Sequence, residues 1–315
     1  MAAIAPAQQV RSTVELALRG KKRDIYGRVF QGALLLSLLL SLAILIVLLG
    51  TALADAWPVL STRTGDFITS NVSRLDSRAG VRQGIVGSLI LIGFVAVVAL
   101  PLGIAAAIYL QEYAKDTRLN RLLTTNIRNL AGVPSIVYGI LGLVVFVQVL
   151  RSITGPNTFG RSFISGGLTL AVLVLPIVIL ITMEALRAVP KSIREAAYGV
   201  GATRWEVVRS HVLPYAAAGV FTGVILSLAR AFGETAPLLL VGAVTGYLSS
   251  PTGRSPLEIL QGQYTALPTQ IFSWSRLAGD GWKANTAAAI VVLLVIILVV
   301  NLAAILLRNR YERKW

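Results

Sequence analysis

The chain reads as an all-α polytopic membrane protein with six transmembrane helices. Three observations predict this. Uncharged apolar runs are long enough to cross a bilayer, only 14% of residues are charged against 55% hydrophobic, and the basic residues gather between the runs. Soluble domains usually carry about 25% charged residues, so the chain is built for another solvent, and its mean hydropathy of +0.74 agrees. The net charge of +15 is not a nucleic-acid signal, because the Lys and Arg flank apolar stretches, where positive charge sets orientation. The sequence contains no cysteine and a single histidine, His211. Disulfides and thiolate chemistry are excluded, and a zinc or Ser-His-Asp centre is disfavoured.

A crossing helix needs about 20 apolar residues. Such runs cover Gln31–Ala54, Gln83–Gln111, Asn129–Leu150, Ser162–Met183 and Ala284–Leu307. A sixth region, Val212 to about Gly246, is apolar apart from Arg230 and Glu234. These segments are too long and too evenly apolar for barrel strands. The first span has a basic flank and an Ala52-Leu53-Ala54 triplet like those of a cleaved signal peptide. Its apolar run, however, far exceeds the ~7–15 residues of a signal core, so an uncleaved anchor is expected.

The expected organisation is a tail at 1–28, with a surface-lying helix near Val14–Leu18, then the first span and outer loop at 29–83. A core with five spans follows at 84–307, containing a loop at 188–214, and a second tail closes the chain at 308–315. Six spans put both termini on one side. The segments on that side hold about twice as many Lys and Arg as the opposite loops, including Arg11 to Arg28, Lys115 to Arg128, Lys191 to Arg209 and Arg308 to Lys314. Both termini are therefore expected to be cytoplasmic.

Prolines 101, 134, 176 and 237 and glycines such as Gly132, Gly139 and Gly142 interrupt the spans. Close helix packing with ordinary kinks explains them, as do broken helices lining a path. The third span is expected to start or bend at Pro134, and the long fifth region to be tilted, kinked or partly re-entrant near Pro237.

Between the fourth and fifth spans, Pro190 is placed to open a short helix and Gly201 to close it. A second short helix, Thr203 to Val212, is expected to start on a Thr203–Glu206 capping box and end at Leu213-Pro214. The pair forms either a knob for a soluble partner or a loop lying on the headgroups. Glu195-Ala196-Ala197, then Gly201, then Leu213-Pro214 resembles the EAA loop of permeases in binding-protein-dependent ABC importers, and the likeness extends over about 84–307. His211 stands where that family commonly has an aliphatic residue. The resemblance implies a type I importer permease fold and a loop, centred on Glu195, Ala196, Ala197 and Gly201, that docks an ATPase subunit. Ala229 to Leu239, with its Gly233-Glu234-Thr235-Ala236-Pro237 run, is similar to the phosphate-specific, A-type permeases, and Leu267 to Phe272 looks like the same subunit. That likeness implies a C-type permease partner, a homodimeric ATPase that carries ATP and Mg, and an extracytoplasmic phosphate-binding protein. No cofactor is expected on this chain, and no phosphate loop of the Gly-x-x-x-x-Gly-Lys-Ser/Thr type occurs in it.

The candidate substrate residues are Arg230, Glu234 and Thr235, with Glu184 and Arg187 at the cytoplasmic end of the fourth span. An ionised group within a bilayer costs at least about 2.5–3.5 kcal/mol on insertion scales and tends to mark a pathway. Arg230 and Glu234, spaced i and i+4, share a helix face, either bracing two helices or presenting a guanidinium to an oxyanion. Glu184 and Arg187 are either a snorkelling surface pair or an exit contact. Arginine binds sulfate, molybdate and phosphonate as readily as phosphate, so only the resemblance favours phosphate. A membrane-embedded enzyme lacks its clustered acids, bases or metal ligands, and a self-sufficient channel has no use for a docking knob.

The orientation is directly testable. Cysteines placed at Ser73, Thr158 and Ser255 should react with a membrane-impermeant thiol reagent in intact cells. Ser192→Cys should not, and the reverse pattern would invert the topology.

Overall fold

A computed structural model describes residues 25–243 and 255–311, and every described element is helix or connecting turn. The expected Val14–Leu18 helix, most of the first tail, the end of the fifth region at Gly246, Arg254 and the chain's last four residues lie outside the described residues.

Five helices among the described residues are long and apolar enough to cross a membrane. They are α1 (Ile25–Thr62), α2 (Arg82–Tyr113), α5 (Phe163–Arg187), α7 (Arg204–Gly233) and α10 (Asp280–Tyr311). The third span bends at Pro134, as its sequence predicts. It is a bent pair, α3 (Arg118–Ala131) and α4 (Ser135–Val149), meeting at 102°. Pro134 is the cause: it withholds the amide that Leu130 O would receive in a continuous helix. α3 is also too polar to lie in hydrocarbon, with Arg118, Arg121 and Arg128 on a 14-residue helix capped by Thr117. Pro101 and Pro176, by contrast, sit inside unbroken helices.

The chain divides into two compact units at Ala52–Leu53, inside α1. The first contains the apolar residues 25–52. In the second, Ala56 and Val59 pack with Phe67, Val81, Trp274 and Ala287 to Ala289. The centre of this unit is α5, buried on nearly all sides from Phe163 to Leu186, as a helix apolar all round should be.

Small residues let its neighbours approach. A Cβ on Gly103 of α2 would come within 2.6 Å of Val178, and one on Gly223 of α7 within 2.6 Å of Ile181. Gly219 likewise meets Ala185, which fixes α7 antiparallel to α5. In α4, Gly139 rests on Pro237 of the short helix α8 (Ala236–Leu240), and Gly142 rests on Thr169 and Val241. Association in lipid depends on such close packing rather than on the hydrophobic effect.

One expectation is corrected. The short helix after Thr203 does not end at Leu213-Pro214. Its capping box forms, with Thr203 N donating to Glu206 Oε2 at 2.7 Å and Glu206 N to Thr203 Oγ1 at 3.4 Å. The helix then widens into a π turn over Val208–Val212 and runs on as α7. The wider turn changes the bonding pattern just before Pro214, which enters without a break. The described segment that precedes α10 is packed into the protein. Tyr264 to Gln270, entering α9 (Leu267–Trp274), is buried. It is pinned by Leu267 N donating to Ser88 Oγ at 2.9 Å and Gln270 Nε2 donating to Gly80 O at 2.9 Å.

The glycine contacts carry a prediction. Gly139→Val places its Cβ 2.7 Å from the Pro237 backbone, an overpacking that typically costs about 1–3 kcal/mol. The apparent unfolding temperature in detergent should fall by several degrees. Gly93→Val, with nothing within 4 Å, should leave it unchanged.

Candidate functional site: a charged helix break and an exposed connecting loop

α7 ends at Gly233, and Glu234 and Thr235 have left helical geometry or its bonding before α8 begins. The Arg230–Glu234 pair sits on this break. Arg230 Nε donates to Glu234 Oε1 at 3.3 Å, with side chains 41% and 15% exposed. The pair joins the last turn of α7 to the break that follows it. It occupies only the Nε edge of the guanidinium, and among the described residues the two terminal nitrogens have no hydrogen-bond partner. Thr235 lies beside Glu234, half-buried. The Tyr138 ring of α4 is within electrostatic reach of Arg230, and its hydroxyl donates to Leu130 O at 2.8 Å. Sequence reasoning missed Tyr138 because nothing in the order of residues joins α4 to the end of α7.

Glu184 and Arg187 also pair, at 3.3 Å, with side chains 63% and 53% exposed. The structure does not bring them to Arg230. From the contact of Gly219 with Ala185, Arg230 and Arg187 stand about 20 Å apart along the bundle at 1.5 Å per residue. Arg187 faces a cleft of about 380 Å³ with Lys115, Arg121 and Arg128. It also borders a second cleft with Lys191, Glu195 and Arg204.

The loop between α5 and α7 is well built. Pro190 caps α6 (Lys191–Gly199), and Gly201 closes it at φ +86°, a conformation that favours glycine. Gly201 N donates to Tyr198 O at 2.9 Å and Ala202 N to Ala197 O at 3.1 Å, the double closure that ends many helices. Ala197 is buried against Leu186, Val189, Val207, Val212 and Ala216. Glu195 and Ala196 point outward, as do Tyr198, Val200 and Trp205. An exposed face with three large apolar side chains suits a protein partner. His211 is exposed while Val212 takes the buried position, so the unusual histidine does not disturb the packing.

Sequence reasoning also missed how this loop is held. Arg194, read as one more cytoplasmic charge, is half-buried and pairs with Glu112 at 2.7 Å. The available signal was Glu112 itself, a carboxylate at the end of a long apolar run, where an unpaired acid is costly.

With this geometry in hand, residues 99–315 match the family described as "Binding-protein-dependent transport system inner membrane component". The chain is 32% identical over 274 residues to Phosphate transport system permease protein PstA 1 of Mycobacterium tuberculosis, covering 86% of this chain and 85% of that one. It is 33% identical over 223 residues to Phosphate transport system permease protein PstC of Mesorhizobium japonicum, covering 64% and 68%. A bacterial ABC transporter involved in import of the acidic polysaccharide alginate has the same fold, with a TM-score of 0.62 at 16% identity over 92% of this chain and 99% of that one.

The Arg230–Glu234 pair is exposed on the arginine side only, 41% against 15% for Glu234. Breaking it should therefore cost less than breaking a fully buried pair, and Arg230→Gln and Glu234→Gln should each unfold within a few degrees of the parent. A loss of about 3–5 kcal/mol, as for a broken buried pair, would mark the pair as a brace instead.

Proposed function

The chain belongs to the binding-protein-dependent transport system inner membrane component family, and from that premise we propose that it is the A-type permease half of an ATP-driven phosphate importer. It is a multi-pass membrane transport subunit rather than an enzyme. In this reading both termini are cytoplasmic, and a C-type permease completes the path. A homodimeric ATPase, which binds ATP and Mg, docks on the loop around Glu195, Ala196, Ala197 and Gly201. A phosphate-binding protein delivers the anion from outside.

The observation that carries the oxyanion reading is the charged break after Gly233, and the 32% identity to a phosphate transport permease narrows the anion to phosphate. A guanidinium is planar, stays protonated and matches two phosphate oxygens at once. Glu234 takes one edge of Arg230 and leaves the fork of terminal nitrogens for an anion. The same carboxylate lowers the local positive charge, so phosphate binds firmly enough to enter and weakly enough to leave. Thr235 supplies a hydroxyl next to the fork. Arg187, about 20 Å nearer the loop, belongs to the exit side, where Lys115 and Arg128 give a released anion a basic surface.

Arg230→Gln removes the fork, so phosphate uptake into proteoliposomes containing the whole transporter should collapse, while assembly and basal ATP hydrolysis persist. Glu234→Gln keeps the shape but unmasks the charge, and should slow release rather than abolish entry. Normal uptake with Arg230→Gln, or recovery of uptake by Arg230→Glu with Glu234→Arg, would remove the anion-site reading. Stimulation of hydrolysis by sulfate or molybdate instead of phosphate would keep the permease and change its substrate.

A further inference from the structure

We infer that Arg194 is a positioning residue that fastens the connecting loop to α2 and α5, so that a displacement of α6 moves both membrane helices as one body. This rests on the reading above that an ATPase docks on the loop.

Four hydrogen bonds leave this one guanidinium. Nε donates to Glu112 Oε2 at 3.3 Å and Nη2 to Glu112 Oε1 at 2.7 Å. Nη2 also donates to Leu186 O and Nη1 to Val189 O, both at 2.8 Å. The partners come from different elements. Glu112 lies in the widened π turn, Tyr109–Tyr113, that ends α2. Leu186 is in the last turn of α5, and Val189 follows it. Leu186 O belongs to the negative end of the α5 dipole, where a cation is favoured, and Val189 O lies just beyond it.

The contrast with the other ion pairs decides the role. Among the described residues, Arg121–Asp116, Arg187–Glu184 and Lys283–Asp55 are exposed on both sides, and Arg230–Glu234 is exposed on the arginine side. The Arg194 and Glu112 side chains are only 19% and 8% exposed, and neither charge is well placed to find water if the other is removed. Apolar contacts also join these parts, since Ile108 of α2 and Ile193 of α6 pack on the cluster around Ala197. Packed side chains permit sliding, whereas a planar fork bonded at three points fixes both distance and angle. Lysine has the charge but not the fork, so it is no substitute. The clamp therefore stays closed through the transport cycle, and movement occurs elsewhere.

The test uses the complete transporter, with both permeases, the ATPase and the binding protein, in proteoliposomes. The readout is anion taken up per ATP hydrolysed, measured with whichever oxyanion the parent complex carries. Arg194→Lys and Glu112→Gln should retain the ATPase through purification and continue to hydrolyse ATP, while uptake per ATP falls about tenfold or more. The chain has no native cysteine, so Glu112→Cys with Arg194→Cys can be joined selectively. A short bifunctional thiol reagent should restore uptake per ATP, and a monofunctional one should not. An unchanged ratio in both single variants would overturn the inference. So would a double variant that the cross-link fails to restore, whether it is assembled and uncoupled or has lost its ATPase. If the parent chain itself retains no ATPase, the docking reading fails instead, and the two failures are distinct.

Discussion

A peptide group that leaves its helix inside a bilayer has no water to turn to, and each unpaired group there costs several kcal/mol. The architecture follows from where this chain meets that constraint and how. At the first break, Pro134 withholds its amide from Leu130, and the vacant carbonyl takes the Val133 amide at 3.0 Å and the Tyr138 hydroxyl at 2.8 Å. In the inserted outer segment, Ser88 of α2 meets the Leu267 amide and Gln270 meets Gly80 O. Irregular backbone is thus tolerated where protein supplies its partners. The second break, after Gly233, is held differently, by an ion pair that remains partly exposed. That exposure is what the transport reading uses.

Close packing makes these repairs possible. Gly103, Gly219 and Gly223 draw α2 and α7 onto α5, and Gly139 and Gly142 draw α4 onto α8 and α5. The same approach brings Tyr138 of α4 within reach of Arg230 at the end of α7. Of the glycines read in sequence as either packing residues or path-lining breakers, Gly139 and Gly142 serve the first role directly, while Gly132 meets only its own turn. The helices themselves break at Pro134 and at Gly233–Thr235.

The spans were legible because apolarity over some 20 residues is a local property, as were the Thr203–Glu206 capping box and the left-handed Gly201. The bend at Pro134 was legible from the proline, but its angle was not, since hydropathy records how apolar a segment is and not where it points. Pro214 read as a terminator because its effect depends on the preceding turn, and the π turn over Val208–Val212 absorbs it. The burial of the Tyr264–Gln270 segment was not legible, because the Ser88 and Gly80 groups that pin it lie nearly two hundred positions away. The Arg194–Glu112 pair spans 82 positions and was hidden for the same reason.

The positions of rigidity and weakness suggest how the parts work together. α2 and α5 are interlocked at Gly103 and Gly167, and Arg194 ties α6 to both, so these three elements have little freedom among themselves. α4 and α8 end or begin at breaks, touch through a glycine, and flank the Arg230–Glu234 pair. A push on α6 can be absorbed where continuous helix is missing, as at Gly132–Pro134 and at Gly233–Thr235. Both lie beside the charged pair, about midway along α5. In a transporter driven from that loop, the residues nearest the substrate would be those whose backbone is freest to change.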